Sequence, residues 1–318
     1  MKQEVLVTGA FYGPSMEWLD REFTTHRLFE AKDRAKLLSD VGPRVRAIAG
    51  SGRSDQALIQ SLPNLEIIAN FGVGYDNVNA AAARARKVMV TNTPGVLNEA
   101  VADTTLSLIL AIERRVVAAD RYLRAGKWVA NGNYPLTRHL GDLKVGILGL
   151  GRIGKDIAKR TLAFGMQVQY HSRTRQADVA FPYFPSVLEL AKASNVLVCI
   201  LPGGAGTRHI INEDVMKALG PTGTLVNVAR GSVVDTEALI RCLKNGSLGA
   251  AAIDVYDKEP ETPEALWPLE NVVLTPHLGS ATHSTRKKMG DLVVQNLLEH
   301  FAGRAVLTAV PECAGLRR

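Results

Sequence analysis

Short apolar runs rich in β-branched residues alternate with helical patterns along the chain, and the alternation occurs in two series. The strands predicted in the first series cover residues 4–8, 45–49, 65–70 and 87–90, with helices between them such as 31–41 and 55–61. The strands predicted in the second series cover residues 144–148, 167–171, 196–200, 224–228, 249–253 and 272–274. Strands separated by helices at this spacing predict α/β architecture, with parallel sheets covered by helices on both faces.

Two longer helical patterns accompany these series. Residues 98–125, between the series, predict one long buried helix, and residues 281–301 predict another after the last strand. The tail beyond this second helix is expected to rejoin the first sheet. The chain is therefore predicted to fold as two domains, a nucleotide-sized domain at 99–284 inserted into a split domain made of 1–98 and 285–318.

Length and cysteine usage agree with this division. The 318 residues suit two domains of roughly 100–200 residues each. The longest apolar run, Leu106 to Ile112, is far shorter than the roughly 20 residues of a membrane span. No secretory signal is predicted at the N-terminus. The three cysteines are far apart and lack metal-ligand spacing, so we expect reduced thiols in a cytoplasmic protein and no metal site.

The charge balance excludes one class of partner. The chain has 38 Lys+Arg and 31 Asp+Glu, a formal net charge of +7. The excess is spread thinly, with no basic block and no basic strand rich in aromatic residues. We therefore expect no nucleic-acid binding, and the charge weakly favours small anionic molecules.

The segment Gly149-Leu150-Gly151-Arg152-Ile153-Gly154 follows a predicted buried strand and precedes a helical pattern. In dinucleotide-binding turns the first glycine permits the turn, the second lets the backbone approach the pyrophosphate, and the third lets the helix pack on the strand. The phosphates would lie at the helix N-terminus, where unpaired amides favour negative charge. The alternative is a purely structural turn, but a strand before and a helix after the motif favour dinucleotide binding.

The next strand ends in His171-Ser172-Arg173-Thr174-Arg175. A cofactor with a free ribose 2′-hydroxyl requires Asp or Glu near this position, and the segment contains neither. Ser172, Arg173 and Thr174 offer hydroxyls and a guanidinium, which suit a 2′-phosphate. NADP(H) is therefore the predicted cofactor, and the alternative is an ordinary basic loop.

Three later segments, 227–232, 254–260 and 275–280, carry polar residues at predicted strand ends, where open α/β sheets bind ligands. Arg230 could hold a carboxylate bidentately, and His277 could pass a proton to a carbonyl oxygen. Glu259 beside that histidine would favour its protonated form. Singly, each residue could be a turn cap, a surface charge or a residue before a helix. Together they predict the reduction of a keto acid.

At these residues the sequence resembles the D-isomer-specific 2-hydroxyacid dehydrogenases. The similar segments are NFGVGYDNVN at 70–79, TPGVLNEAVAD at 93–103, the glycine motif, NVARGSVVD at 227–235, AAIDVYDKEP at 251–260 and NVVLTPHLGSAT at 271–282. Within the family the NADPH-linked glyoxylate/hydroxypyruvate reductases look closest, because Ser172-Arg173 replaces the usual acidic residue. The resemblance implies a Rossmann dinucleotide-binding domain inserted into a flavodoxin-like substrate domain, both doubly wound. It also implies hydride transfer from nicotinamide C4 to C2 of a short 2-keto acid.

The resemblance further implies residue roles. Arg230 would bind the carboxylate and carbonyl of the substrate, His277 would be the proton donor, and Glu259 would pair with His277. Backbone amides of Val73 and Gly74 would also bind the carboxylate. The residues expected at the cofactor are the six of the glycine motif with Ser172, Arg173, Thr174, Leu201, Pro202, Thr207, Val228, Ala229, Asp254, His277 and Gly279. Of these, Asp254 would face the nicotinamide carboxamide.

Two other functions stay open at this point. One is an NAD-linked relative such as a phosphoglycerate dehydrogenase, and the missing acidic residue argues against it. The other is a dinucleotide-sensing binding protein resembling the corepressors of this fold, although Arg230, Glu259 and His277 argue for turnover. The resemblance also suggests a homodimer, built through residues 99–125 and the following segment with Trp128 and Tyr134.

Overall fold

The computed structural model describes residues 2–316, which divide into two compact units. The first unit contains the residues up to Leu97 and those from Ala281 onward, and the second runs from Asn98 to Ser280. Residues 281–284 group with the first unit, whereas the sequence division placed them in the inserted domain. They begin the last helix, which is capped by Thr282 and packs within the first unit.

The first unit contains a five-stranded parallel sheet in the order β2-β1-β3-β4-β5, the flavodoxin-like doubly wound order. Its strands are β1 (Glu4–Val7), β2 (Thr24–Arg27), β3 (Val45–Gly50), β4 (Ile67–Asn70) and β5 (Met89–Thr91). Its helices are α1 (Gly13–Glu22), α2 (Arg34–Val41), α3 (Gln56–Ser61), α4 (Ala80–Ala85) and, at the C-terminal end of the chain, α12 (His283–Phe301).

The second unit contains a six-stranded parallel sheet in the order β11-β10-β9-β8-β6-β7. Its strands are β6 (Lys144–Leu148), β7 (Gln167–His171), β8 (Val196–Cys199), β9 (Thr224–Asn227), β10 (Ala250–Ile253) and β11 (Val272–Leu274). Its helices are α5 (Asn98–Glu113), α6 (Val116–Arg124), α7 (Lys127–Asn131), α8 (Arg152–Ala163), α9 (Val187–Ala193), α10 (Glu213–Leu219) and α11 (Thr236–Asn245). A parallel bridge between Tyr170 and Tyr183 adds one more segment beyond β7, which completes the outer edge of a Rossmann sheet.

Side-chain caps determine where many of these helices begin. In each case an oxygen of the capping residue accepts a hydrogen bond from the backbone N–H three residues later, which is worth about 1 kcal/mol of helix stability. The capping residues are Asp33, Asp55, Asn79, Ser186, Asn212, Asp235 and Thr282. Helix α8 has no such cap, so no side chain of its N-cap residue accepts from its first amides.

The core lies on both faces of each sheet, because helices cover both. In the first unit Leu6, Ile48 and Ile68 are at most 1% exposed. In the second unit Ile147 and Leu225 are fully buried in two separate apolar clusters. Burial on both faces explains why the strands are continuous apolar runs rather than alternating ones.

Three features differ from the sequence prediction. Helix α1 was not predicted. Strand β2 was missed because it is a short edge strand of polar residues, TTHR. The single helix predicted over 98–125 is wrong, since α5 ends at Glu113 and Arg115 adopts a left-handed φ of +50° before α6 begins. No residue of α6 is buried, so core packing does not hold it in line with α5.

The tail after α12 rejoins the first sheet, as predicted. Ala309 forms an antiparallel bridge with Thr91, and the Val310 amide donates to the carbonyl oxygen of Val90. Within residues 2–316, no helix combines the length and apolar composition that a membrane crossing requires. In the same part of the chain, no three His, Cys, Asp or Glu side chains come together as a metal site would need.

Candidate active site

The three glycines of the turn between β6 and α8 differ in what surrounds them. Gly149 has a φ of +104°, and a Cβ there would lie 2.3 Å from the carbonyl oxygen of Ile200. A Cβ on Gly154 would lie 2.3 Å from the carbonyl oxygen of Gly149. A Cβ on Gly151 would meet no atom within 4 Å. The protein's own packing does not require the second glycine, and this fits a position that cofactor phosphates approach closely.

Helix α8 begins directly after this turn, with Gly151 at its N-cap and no side-chain cap. Its first amides therefore lack the acceptor that Ser, Asp or Asn provides at other helices. Such an N-terminus favours phosphate, because its amides and the helix dipole both attract negative charge. Leu150 is buried, Ile153 is half-buried and Arg152 is exposed. These residues fit the pyrophosphate of a dinucleotide.

The loop after β7 is hydrogen-bonded to the glycine turn. The side-chain amide of Gln176 donates to the carbonyl oxygen of Leu150 at 2.5 Å. Ser172 Oγ donates to the carbonyl oxygen of Thr174 at 2.7 Å. Arg173 is exposed and forms no ion pair with the other residues that the structure describes. Its guanidinium is therefore available to an anion.

The segments after β8 and β9 continue the same edge of the sheet. Thr207 Oγ1 donates to the carbonyl oxygen of Pro202 at 2.8 Å, which closes the loop after Leu201. Val228 and Ala229 are buried at the end of β9, with 7% and 3% of their surface exposed. Their side chains are apolar, so only their backbone groups could bind a ligand by hydrogen bonds.

Arg230 follows at a turn that packs on the segment after β10. Its carbonyl oxygen accepts from Asn227 Nδ2 at 2.9 Å, and its Nη1 donates to the carbonyl oxygen of Ala229 at 2.8 Å. A Cβ on Gly231 would lie 2.0 Å from the carbonyl carbon of Tyr256. Glycine at this position therefore permits the close packing that carries Arg230 toward the segment after β10.

Asp254, at the end of β10, is 1% exposed and holds the loop that follows β11. Its Oδ1 accepts from Thr275 Oγ1 at 2.6 Å and from the Leu278 amide at 2.7 Å. Its Oδ2 accepts from the Gly279 amide at 2.9 Å, and its carbonyl oxygen accepts from the His277 amide at 2.9 Å. The sequence predicts Asp254 at the cofactor, but its role in holding the loop was not predicted.

Glu259 and His277 form a close pair, with Oε2 2.7 Å from Nδ1. Partial burial raises the pKa of Glu259, but hydrogen bonds from His277 and from the Tyr256 amide, with the positive charge of Arg230, hold it below its ordinary 4.5. The ionised carboxylate accepts the Nδ1 proton, so Nε2 of His277 is left to exchange a proton with a ligand. His277 also has a φ of +53°, a strained conformation for a residue with a Cβ.

Tyr256 supports both sides of this pair. Its amide donates to Glu259 Oε1 at 3.0 Å. Its hydroxyl donates to the carbonyl oxygen of Thr275 at 3.0 Å and lies 3.2 Å from the carbonyl oxygen of Ile253. Burial, with the negative charges of Asp254 and Glu259, raises the pKa of Tyr256 to about 12. The hydroxyl therefore keeps its proton and stays a donor at neutral pH.

Val73 and Gly74 lie in the first unit, in the loop after β4. The carbonyl oxygen of Val73 accepts from Asn92 Nδ2 at 2.8 Å, and that of Gly74 accepts from Asn70 Nδ2 at 3.0 Å. Neither the Val73 nor the Gly74 amide donates to another residue within 2–316. Both amides are therefore available to an anion.

Parallel strands explain why widely spaced motifs meet in the second unit. All its strands end at the same edge of the sheet, and Arg230, Glu259 and His277 come together there. The sequence analysis missed Asn92 and Tyr256. Tyr256 lies inside a segment already singled out, but nothing in the local sequence marks Asn92, whose partner Val73 is 19 residues away.

Comparison with known proteins identifies the class. The family model described as D-isomer specific 2-hydroxyacid dehydrogenase, NAD binding domain, matches residues 106–279. A glyoxylate/hydroxypyruvate reductase of Arabidopsis thaliana is 47% identical over 294 residues, which cover 92% of this chain and 94% of the relative. A hydroxyphenylpyruvate reductase of Plectranthus scutellarioides is 44% identical over 294 residues, with the same shares covered.

A solved structure is similar over nearly the full length of both chains. It is the NADPH-dependent glyoxylate/hydroxypyruvate reductase of Sinorhizobium meliloti in complex with NADP and malonate, with a TM-score of 0.92 and 42% identity, covering 100% of this chain and 99% of that one. The chain belongs to the D-isomer specific 2-hydroxyacid dehydrogenase family, and it is an oxidoreductase with an NAD(P)-binding domain. The predicted family and fold class are confirmed. Neither the phosphoglycerate dehydrogenase nor the corepressor alternative is favoured.

Proposed function

We propose that this protein reduces a short 2-keto acid, glyoxylate or hydroxypyruvate, to the 2-hydroxy acid with NADPH. The observation that carries the proposal is the 2.7 Å contact between Glu259 and His277 at the carboxyl edge of the second sheet. Relatives named as glyoxylate/hydroxypyruvate reductases support it. NADPH, when bound, would supply a hydride from C4 of its nicotinamide to C2 of the substrate.

His277 donates the proton to the carbonyl oxygen of the substrate. Its Nδ1 is held by Glu259, so Nε2 is the nitrogen that delivers the proton. The Glu259 carboxylate stabilises the protonated imidazole before transfer. Asp254 and Tyr256 keep the loop of His277 in its strained conformation, which fixes the direction of Nε2.

Arg230 and the first-unit loop bind the anionic end of the substrate. The guanidinium of Arg230 offers a planar pair of donors that matches a carboxylate, and lysine could not reproduce it. The amides of Val73 and Gly74, in the first unit, offer neutral donors for a substrate carboxylate. Substrate affinity then depends on these three residues more than on the proton donor.

The cofactor residues are those of the turns described above. The amides at 150–154 bind the pyrophosphate. Asp254 lies at the carboxamide, with Gly279 beside it. The cofactor is also lined by backbone and apolar groups of Leu201, Pro202, Thr207, Val228 and Ala229. Arg173 binds the 2′-phosphate of NADPH, together with the Thr174 hydroxyl and with the Ser172 hydroxyl once it turns away from the Thr174 carbonyl. Each charge-assisted hydrogen bond contributes about 1.5–3 kcal/mol, so kcat/KM favours NADPH over NADH by about tenfold or more.

An assay of NADPH oxidation tests the proposal. The substrates are glyoxylate, hydroxypyruvate, pyruvate and hydroxyphenylpyruvate, each with NADPH and with NADH. We expect the highest kcat/KM for one of the first two with NADPH. Arg173→Ala should lower kcat/KM about tenfold with NADPH and leave the NADH value nearly unchanged. Equal or better use of NADH by the wild type would overturn the cofactor assignment, and inactivity on the whole panel would overturn the function.

The homodimer is also part of the proposal. Helices α6 and α7 contain no buried residue. The segment from α6 to Leu136 exposes large apolar side chains, because Val129 is 97% exposed and Leu136 is 100% exposed. A second copy of the chain would cover them. Light scattering at micromolar concentration should give twice the chain mass of 34.3 kDa, and Val129→Asp should shift it toward the monomer. A monomeric wild type would refute the dimer.

A further inference from the structure

The loop after β4 is held by neutral side chains. Asn70 Nδ2 donates to the carbonyl oxygens of Gly72 and Gly74, at 3.2 and 3.0 Å. Asn92 Nδ2 donates to the carbonyl oxygen of Val73, which lies between them, at 2.8 Å. Two asparagine side chains thus bind three successive carbonyl groups, and the Thr93 amide is a second donor to that of Gly72, at 2.9 Å.

Peptide geometry turns these contacts into a constraint on the opposite side of the loop. A trans peptide unit is planar, and its C=O and N–H point in opposite directions. The carbonyl of Gly72 shares its peptide unit with the amide of Val73, and the carbonyl of Val73 shares its unit with the amide of Gly74. Holding the two carbonyls therefore directs the two amides away from Asn70 and Asn92.

Asn70 is itself rigidly placed. It is 2% exposed, and its Oδ1 accepts from Asn77 Nδ2 at 3.2 Å. Asn77 Nδ2 also lies 2.8 Å from the carbonyl oxygen of Ser51 and 3.1 Å from that of Gly52, at the end of β3. Both hydrogens of the Asn70 amide are used on the loop, so its orientation cannot flip without losing all three contacts.

Asn92 is placed by the returning C-terminal segment. Thr308 Oγ1 donates to the carbonyl oxygen of Asn92 at 2.6 Å, and the Asn92 amide donates to the carbonyl oxygen of Thr308 at 3.2 Å. Asn296 of α12 is fully buried, and its Nδ2 donates to Thr308 Oγ1 at 2.9 Å. A continuous series of hydrogen bonds thus runs from α12 through Thr308 to Asn92 and the loop.

We propose that Asn70 and Asn92 are positioning residues for the substrate carboxylate, because they aim the amides of Val73 and Gly74. This inference rests on the proposed function, in which those amides bind the keto acid. The asparagines do not touch the substrate. They fix two donors in advance, so that binding does not have to order the loop.

Asn92→Ala tests the proposal, because it removes the donor to Val73 and leaves Asn70 in place. One neutral hydrogen bond contributes about 0.5–1.5 kcal/mol, so we expect KM for the keto acid to rise about three- to tenfold. The carboxylate is bound in both the ground state and the transition state, so kcat should change little. KM for NADPH should not change, since the cofactor residues lie on the second sheet.

Asn64→Ala is the matched control. Asn64 is an exposed asparagine of the same unit whose Nδ2 donates to the carbonyl oxygen of Pro43 at 2.7 Å, outside the loop. We expect its kinetics to equal those of the wild type. Thermal melting of both variants shows whether either loses stability. A purely structural role for Asn92 would lower the melting temperature and leave the keto-acid KM unchanged.

The outcomes separate this inference from the function on which it rests. Wild-type activity with an unchanged keto-acid KM in Asn92→Ala overturns the role of Asn92 alone. Wild-type inactivity on the whole substrate panel overturns the proposed function. In that case, calorimetric titration of malonate into the wild type and Asn92→Ala still tests the loop as a carboxylate site. Equal affinity of the two proteins would then overturn the inference.

Discussion

The carboxyl edges of the two sheets differ in the chemistry they offer a ligand. The loop after β4 offers backbone amides, which neutral asparagine side chains hold in place. The second sheet offers Arg230, Glu259 and His277, all of them ionisable. Neutral amides keep their donors at any pH, whereas the Glu259 carboxylate loses its charge when the pH falls through its lowered pKa. Binding of the carboxylate and transfer of the proton should therefore respond differently to pH and to mutation.

The sign of the pH effect follows from Glu259. Its pKa in the folded protein lies below its ordinary 4.5, so its ionised form favours the folded state. That contribution is complete above pH 4.5 and is lost as the pH falls through the lowered pKa. The loop at 72–74 contains no titratable side chain. Across neutral pH we therefore expect Glu259 to stay charged and the amides to bind equally well.

The largest effect should come from replacing His277, the proposed proton donor. His277→Gln should lower kcat by about 10²–10⁴-fold, because it removes positioned acid catalysis and leaves the first-unit loop intact. NADPH binding, measured by fluorescence titration, should be nearly unchanged.

His209→Gln is the control for this prediction. His209 also has a left-handed φ, of +50°, but it lies outside the pair with Glu259. Its turnover should stay close to that of the wild type. Near-normal turnover of His277→Gln would remove His277 from the mechanism and leave the second sheet without its expected chemistry.

A smaller effect is expected when the partner of the histidine loses its charge. Glu259→Gln should move the pH above which turnover falls to lower pH, since the carboxylate no longer stabilises the protonated imidazole. Full pH profiles of kcat for the variant and the wild type measure the shift. An identical profile would make Glu259 a surface residue and would remove the contrast between the two edges.

The smallest effect should come from the tyrosine behind the pair. Tyr256→Phe removes only the hydroxyl that donates to Thr275, so we expect a fall in kcat of about three- to tenfold and little change in either KM. Trp267→Phe is the control, because it removes an indole donor to Thr262 at an exposed position of the same unit. If the two variants lose the same activity, the hydroxyl does not hold the loop of His277.

Local patterns allowed much of this molecule to be predicted. The strands at 144–148, 167–171 and 272–274 were predicted with the bounds that the structure has, because buried parallel strands are continuous apolar runs. The break at Arg115 was missed, since the apolar spacing continues across it and only the absence of buried residues in α6 shows the change. Strand β2 was missed because an edge strand needs no apolar run.

The sequence by itself determined the strand-and-helix alternation, the glycine turn and the types of residue at the strand ends, because neighbouring positions of the chain carry all of that information. The family resemblance implied that Glu259 pairs with His277, whereas tertiary structure alone decided the geometry of that contact and the supporting contact of Tyr256 with Thr275. Glu259 and His277 are 18 residues apart, and Tyr256 and Thr275 are 19 apart. Their contacts depend on the pairing of β9, β10 and β11 and on the turn packed over Gly231. A hydrogen bond is sensitive to tenths of an ångström, and only the packed register of the strands fixes distances on that scale.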